Sequence, residues 1–294
     1  MKIYNINKKR PIQYGFIIGT GILAFILCFI VWTERNTGIL SIYFLDIGQG
    51  DAIYIRTPNG NDMLIDSGPS TSVLRRLGQV MPWYDRSIDV LLETHPDQDH
   101  IGSFPDVIER YNISMFVMPG VDSKNSTVNE IKKLLAEKHI PVILGRRGMS
   151  IDFRDGVSFN ILYPNVDPKK FETNTASIVG KLVYGSTSAM FTGDSPKSVE
   201  IKLVKLDGSN LKSDILKVGH HGSKTSSGDS FITKVNPFSA IISVGKNNRY
   251  GHPNKETVNV LEKHHIEILR TDEEGTIRFV SDGVNMQIKQ KSLD

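Results

Sequence analysis

The chain has 294 residues, 39% of them apolar and 23% charged, with a formal net charge of +3. This is an ordinary globular composition, long enough for one large domain or two small ones with ample core, and the absence of a short-period repeat excludes a solenoid. So small a net charge does not by itself argue for nucleic acid, and a single cysteine, Cys28, excludes a disulfide framework and a thiolate metal site.

Residues 15–32 carry no charge. As a helix they are just long enough to cross a bilayer core of about 30 Å. Lys2, Lys8, Lys9 and Arg10 precede them and Trp32 ends them. The excess of basic residues predicts a cytoplasmic segment over residues 1–14, a transmembrane anchor over 15–32, a linker over 33–38 and an extracytoplasmic domain over 39–294. The alternative is a cleaved signal peptide. It fits less well: Ala24 is the only alanine of the segment, and Leu27 precedes Cys28 where a lipoprotein site needs a small residue. The expected localisation is the cell membrane, single-pass.

From Ile39 the chain reads as short β-branched runs divided by turns and a few helices. Residues 41–47 and 51–56 read as strands around the tight Gly48-Gln49-Gly50 turn. Pro58-Asn59-Gly60-Asn61 signals a hairpin into a strand over 62–65. A helix is predicted over 73–80, a buried strand over 88–93, a helix over 104–111 and a strand over 115–118. The stripe Val128, Ile131, Leu134, Leu135 predicts an amphipathic helix over 127–138. The second half repeats the style, with strands over 157–163, 177–184, 188–192, 214–218, 239–244, 277–280 and 285–289, and helices over 198–206 and 253–265. Two sets of strands with interleaved helices predict an α/β sandwich, two sheets face to face with helices outside.

The densest chemistry is Thr94-His95-Pro96-Asp97-Gln98-Asp99-His100, delivered by the apolar run ending at Leu92. Two imidazoles and two carboxylates leaving one strand end cannot all enter an apolar core, because each unpaired buried carboxylate costs several kcal/mol, on the order of 5. Convergence on a divalent cation removes that cost; the plainer reading is a polar loop with capping aspartates. Further reactive residues also follow apolar strands: Asp66, Asp194, the pair His220 and His221, and His252 after a longer loop. Strand ends on one side of a sandwich meet at one rim, where sites form.

These segments together resemble a metallo-β-lactamase-fold hydrolase, and specifically the extracytoplasmic hydrolase domain of ComEC-type competence proteins. The matching stretches are Phe44-Leu45-Asp46-Ile47-Gly48-Gln49-Gly50-Asp51-Ala52, Leu64-Ile65-Asp66-Ser67-Gly68, the Thr94 to Gly102 run, Phe191-Thr192-Gly193-Asp194, Leu216-Lys217-Val218-Gly219-His220-His221-Gly222-Ser223 and Asn248-Arg249-Tyr250-Gly251-His252-Pro253. The resemblance implies an αββα sandwich and one or two divalent ions, Zn²⁺ or Mn²⁺, with Mg²⁺ as a further candidate. It places His95 and Asp97 at the first metal, Asp99 and His100 at the second, and Asp194 bridging or bordering both. His220, His221 and His252 take the family's late histidines, and Asp66 orients the site from behind the ligands. Two departures stand out: Asp97 occupies a position that is histidine in the broader superfamily, and no histidine lies near Asn174-Thr175. An aspartate-rich site is harder and suits Mn²⁺ or Mg²⁺.

The expected chemistry is hydrolysis by metal-activated water, with Asp99 orienting the water and His220 or His252 protonating the leaving group or holding its oxyanion. Lys217, Lys224, Lys246 and Arg249 lie beside these residues and either bind phosphate or are ordinary surface charges. The resemblance implies phosphodiesters, DNA first, and a further membrane protein as partner, since one anchor forms no pore. Two other readings remain open: a wall or lipid phosphoesterase acting on teichoic-acid decorations, and a non-catalytic metal-binding module.

Overall fold

The structure, a computed structural model, describes residues 10–35 and 38–290, with backbone alone for 10–13, 30–35 and 290. Lys2, Lys8 and Lys9 and the linker positions 36 and 37 lie outside the described residues, as does the side chain of Trp32. The N-terminal helix α1 (Arg10–Arg35) is longer than the expected anchor and takes in the first half of the expected linker. Its described side chains, residues 14–29, are all exposed and include Cys28. They cover about 24 Å of helix axis against the roughly 30 Å of a bilayer core. Among the described residues no helix is long and apolar enough to cross a membrane. The expected helix is present, and a span of full bilayer length is not shown.

The first half of the domain builds one sheet. Its strands are β1 (Leu40–Phe44), β2 (Ile53–Arg56), β3 (Asp62–Ile65), β4 (Ser87–Leu92), β5 (Asn112–Met118) and β6 (Val142–Leu144). Between them lie the helices α2 (Ser72–Val80), α3 (Gln98–Ile101), α4 (Phe104–Arg110) and α5 (Ser126–Glu137). The second half builds the other sheet from β7 (Ser150–Asp152), β8 (Val157–Tyr163), β9 (Val179–Tyr184), β10 (Thr187–Phe191), β11 (Ile215–Lys217), β12 (Ser239–Ile242) and β13 (Glu267–Arg270). Its helices are α6 (Lys197–Asp207), α7 (Asp229–Val235), α8 (Lys255–Lys263) and the short α9 (Thr271–Glu274). The last hairpin, β14 (Ile277–Ser281) and β15 (Met286–Gln290), returns to the first sheet and pairs with β1. The sheet orders are β15-β14-β1-β2-β3-β4-β5-β6 and β13-β12-β11-β10-β9-β8-β7.

Alternation along the strands sets the layers. Ile42, Phe44, Met63, Ile65, Val90 and Leu92 face the second sheet and meet Phe159, Phe191, Ile215 and Ile241. The intervening Tyr43, Leu64 and Leu91 face outward under α2, α4 and α5. In the second sheet Met190, Leu216, Ala240 and Ile242 face outward under α6, α7 and α8. Phe44 and Phe191 stack across the sandwich with centroids 6.2 Å apart. The αββα arrangement expected from the sequence is therefore present. The short strands β6, β7 and β13 and the short helices α3, α7 and α9 escaped the sequence reading because none is long enough to show a clear period.

Strands β3 to β6 run parallel, as do β10 to β13. The C-terminal ends of β3, β4, β10 and β11 consequently reach one edge of the sandwich, carrying Asp66, His95, Asp194 and His220 with them.

Candidate metal centre

Asp194 sits in the middle of the edge. Its carboxylate lies 3.9 Å from His95 Nε2, 3.4 Å from His100 Nε2, 3.6 Å from His220 Nε2 and 3.6 Å from His221 Nε2. His221 Nε2 is also 3.4 Å from Asp99 Oδ2, and His95 Nε2 is 3.6 Å from Asp97 Oδ2. The two sheets supply opposite halves of this cluster. His220 and His221 each hold a left-handed backbone, φ +50 and +52, as does Asp66 at φ +57. Such strain costs roughly 1–3 kcal/mol per residue and is retained where the surroundings over-determine it.

The hydrogen bonds behind the imidazoles select one tautomer. Thr94 Oγ1 donates to Asp66 Oδ2 at 2.7 Å, so at 3.0 Å it accepts from His95 Nδ1. His100 Nδ1 donates to Asp66 Oδ2 at 2.8 Å, and His221 Nδ1 donates to the Ser243 carbonyl at 2.9 Å. Each ring thus keeps its Nδ1 proton and turns Nε2, the nitrogen able to ligate, towards Asp194. Those three Nε2 atoms and Asp194 Oδ1 are buried with no hydrogen-bond partner. Unpaired buried donors and acceptors are costly. Donors about 2.0–2.2 Å from one divalent ion lie ~3–4 Å from each other, which is the spacing found here. The residues fit a metal. Four overlapping groups could hold one: His95, His100 and Asp194; Asp99, His100 and His221; Asp51, Asp194 and His221; and, on the Nδ1 side of His100, Asp51, Asp66 and His100.

The electrostatics agree. Burial pushes the His95 imidazole down to about 4, so it stays neutral and free to ligate. Burial would also lower His221, but Asp194 and Asp51 outweigh it and hold the ring at about 9. His100 is raised in the same way by Asp194 and Asp66. Burial would raise Asp194, and the His100 and His221 charges outweigh it and hold the carboxyl well below its usual range. The carboxylates draw positive charge into the site, and a divalent cation would displace these protons. Burial would raise Asp99 too, and its contact with His221 keeps it ionised at about 2. Glu93, just before Thr94, is pushed by burial up to about 8 and is neutral at pH 7.

Asp97 is at the rim, its side chain 40% exposed. Burial raises its carboxyl, which bonds Thr173 beside the Asn174-Thr175 position where no histidine stands. His220 bonds Thr225 Oγ1 through Nδ1 at 3.0 Å. His252 flanks His220, ring centroids 5.7 Å apart, rather than Asp194, and stacks on Tyr250. Arg249 lies over the Tyr250 ring at 4.9 Å, and both residues line a cavity of about 400 Å³ with Gln49, Gln98 and Asp99. Lys224 is exposed, and Lys246 lines a separate cavity with Asp272 and Glu273.

Lys217 corrects the sequence reading. Read as either a phosphate-binding cation or an ordinary surface charge, it is neither: it is only 1% exposed and donates to Asp51 Oδ2 and the Val218 carbonyl. Asp51, to which the sequence reading gave no role, completes the cluster at 3.4 Å from His221 Nδ1 and 3.9 Å from His100 Nδ1. The available signal was a lone carboxylate between the Gly48–Gly50 turn and the apolar run Ala52-Ile53-Tyr54-Ile55.

Residues 45–246 match the Metallo-beta-lactamase superfamily. The chain is 33% identical over 252 residues to ComE operon protein 3 of Bacillus subtilis, covering 80% of this chain and 32% of that protein. It is 33% identical over 238 residues to Competence protein ComA of Neisseria gonorrhoeae, covering 80% and 31%. The chain thus spans about a third of the length of these curated relatives. In fold it is similar to the metallo-beta-lactamase fold protein YhfI from Bacillus subtilis, with a TM-score of 0.55 and 13% identity over 82% of this chain and 99% of that one.

Proposed function

The chain belongs to the metallo-beta-lactamase superfamily, and from that premise we propose that it is a membrane-anchored, metal-dependent phosphodiesterase whose substrate is DNA. The observation that carries the hydrolytic part is the gathering of three buried, unpartnered Nε2 atoms and an unpaired Asp194 oxygen into overlapping ligand groups beside an open cavity. Support for DNA comes from the resemblance to competence proteins, one of which is so named among the relatives, and from Arg249 at the cavity wall, where a guanidinium pairs with phosphate. The uncharged, exposed stretch over residues 14–29 supports a membrane anchor. The basic residues before it favour an extracytoplasmic catalytic domain.

His95, His100, His221, Asp99 and Asp194 would hold the ion or ion pair, with Asp97 and His220 at the rim. The aspartate share favours Mn²⁺, with Zn²⁺ and Mg²⁺ as alternatives. When bound, a divalent ion lowers the pKa of water from about 15.7 towards 7 and offsets charge on a phosphoryl group. Asp99, ionised and at the cavity wall, accepts a hydrogen bond from the attacking water and orients it. Arg249 holds a non-bridging phosphate oxygen. His220 Nε2 lies beside Asp194 and protonates the leaving oxygen. Burial and His220 lower the neighbouring His252, so that ring is neutral and assists only by donating its N–H. A DNA-uptake complex would supply a further membrane protein as partner.

The test is cleavage of single- and double-stranded DNA by the full chain with and without Mn²⁺ or Zn²⁺, beside phosphocholine esters as wall and lipid surrogates. Metal-dependent DNA cleavage that falls at least about 100-fold in Asp99→Ala supports the reading. Equal cleavage by both proteins overturns it, as does cleavage of the choline esters alone. Metal uptake without any hydrolysis would leave a binding module.

A further inference from the structure

Along α2, Arg75, Arg86 and Arg110 line one cavity of about 380 Å³ together with Thr71, Leu74, Gly78 and Tyr111, and no carboxylate lines it; Arg86 and Arg110 stand at its end away from the metal centre. Arg75 comes from α2, Arg86 from the turn before β4 and Arg110 from the last residue of α4. Arg86 hydrogen-bonds the buried Tyr111 hydroxyl. Three guanidiniums around one cavity repel each other, and a bound anion removes that repulsion.

The adjoining turn carries Trp83, 84% exposed and the most exposed large apolar side chain among the described residues. Its ring meets Tyr84 edge-on at 5.7 Å. A bare tryptophan beside arginines is the composition of a membrane–water interface. Val284, 72% exposed, tips the β14–β15 hairpin.

These features share the end at which the domain begins. Ser41 pairs with Arg56, Arg56 pairs with Asp62, and Arg56 reaches Asp85 at 3.4 Å. The start of β1 and the turn before β4 therefore lie on one side, three strand spacings or about 14 Å apart. The β14–β15 hairpin joins them, since Ser186 N donates to the Gly283 carbonyl while the neighbouring Tyr184 hydroxyl donates to the Gly38 carbonyl. Gly38 follows the last residue of α1 by three positions, so the two are at most about 11 Å apart. An anchor at α1 brings this end to the bilayer. The six residues of β4, at ~3.3 Å each, then hold the metal centre about 20 Å further out.

We propose that this end docks on the anionic headgroup layer of a phospholipid membrane, the three arginines holding a lipid phosphate and Trp83 lying at the interface. The proposal rests on the anchor reading of α1, and the test separates the two. The full chain with Trp32→Phe, which leaves Trp83 as its tryptophan, is reconstituted with phosphatidylcholine vesicles or with vesicles containing 30% phosphatidylglycerol. Both carry a nitroxide quencher at headgroup depth. Trp83 fluorescence should fall at least twofold in the anionic vesicles, and Arg75→Ala/Arg86→Ala/Arg110→Ala should restore it. Trp83 that stays bright in vesicles with which the chain co-floats overturns the docking and leaves the anchor. Co-flotation with anionic vesicles alone, lost in the arginine variant, upholds the docking and removes the anchor. Quenching that ignores both lipid charge and the arginines overturns the headgroup site. So does an unquenched Trp83 with DNA affinity lost in the arginine variant, which would make the cavity a DNA site.

Discussion

Lys217 Nζ lies 2.7 Å from Asp51 Oδ2, and the two side chains are 1% and 2% exposed. The pair joins the end of β11 to the turn before β2, and so ties the second sheet to the first beneath the metal centre. Burial would raise the Asp51 carboxyl, and the charges of Lys217 and His221 outweigh it and hold Asp51 well below the carboxylate range. Asp51 is an anion kept buried by its neighbours.

Lys217→Met should therefore act on stability. It strands Asp51 without its countercharge, a loss of about 3–5 kcal/mol for a buried pair. Urea unfolding should show it, while Lys246→Met on the surface should change stability by no more than about 0.5 kcal/mol. A Lys217 that touched substrate phosphate would instead raise KM and leave the unfolding midpoint in place.

Asp66 orients the site from the Nδ1 side of His100, behind the Nε2 atoms that face Asp194. Its carboxylate accepts from Thr94 N at 2.8 Å, Thr94 Oγ1 and His100 Nδ1. Asp66→Asn places an amide where three donors converge, and metal affinity should fall about 10–100-fold. Calorimetric titration of the metal-free protein with Mn²⁺ or Zn²⁺ measures this. Unchanged affinity would show that His100 needs no orienting partner.

Gly50 has a spatial reason to be glycine. Its φ is +125, and a Cβ there would come 2.2 Å from the Asp99 carbonyl oxygen. The next residue's amide donates to that same carbonyl at 3.1 Å. Gly50→Ala must push the Asp99 backbone away from the centre. Hydrolysis should drop at least tenfold, with near-native far-UV circular dichroism, because an error of about 1 Å in a reacting group costs up to ~100-fold. Full activity would mean that Asp99 tolerates displacement.

Glu200 gives stability a pH dependence away from the ligands. It accepts from Ser227 N and Gly228 N, and burial pushes its carboxyl up to about 7 from the ordinary 4.5. The folded state therefore holds a proton that the unfolded state has already lost. The associated stability is fully present below pH 4.5 and lost as pH rises to about 7. The loss is on the order of 3 kcal/mol. Urea unfolding in chelator should show wild type losing ground to Glu200→Gln across that window. Parallel pH curves for the two would mean that the backbone amides keep Glu200 ionised throughout.

The layers were legible because they follow from local alternation. Phe44, Leu64, Leu91 and Met190 declare their faces through their immediate neighbours. His95, Asp99, Asp194 and His220 were legible for a related reason: polar, ligand-type residues after apolar strands end up at a sheet edge. Lys217 shows where this stops. In β11, Ile215 faces the inter-sheet core and Leu216 faces the helices, so alternation also turns Lys217 inward. Only the opposite sheet, through Asp51, makes that burial tolerable.

By itself the sequence determined the αββα layering and the set of residues able to hold a divalent ion, because strand period and residue chemistry are properties of short segments. Tertiary structure decided that Asp194 is the hub, that Asp51 and Lys217 lock beneath it, and that three arginines from separate elements share one cavity. Those relationships join residues as much as 166 positions apart, and the energy of a charge depends on which partner the fold places beside it.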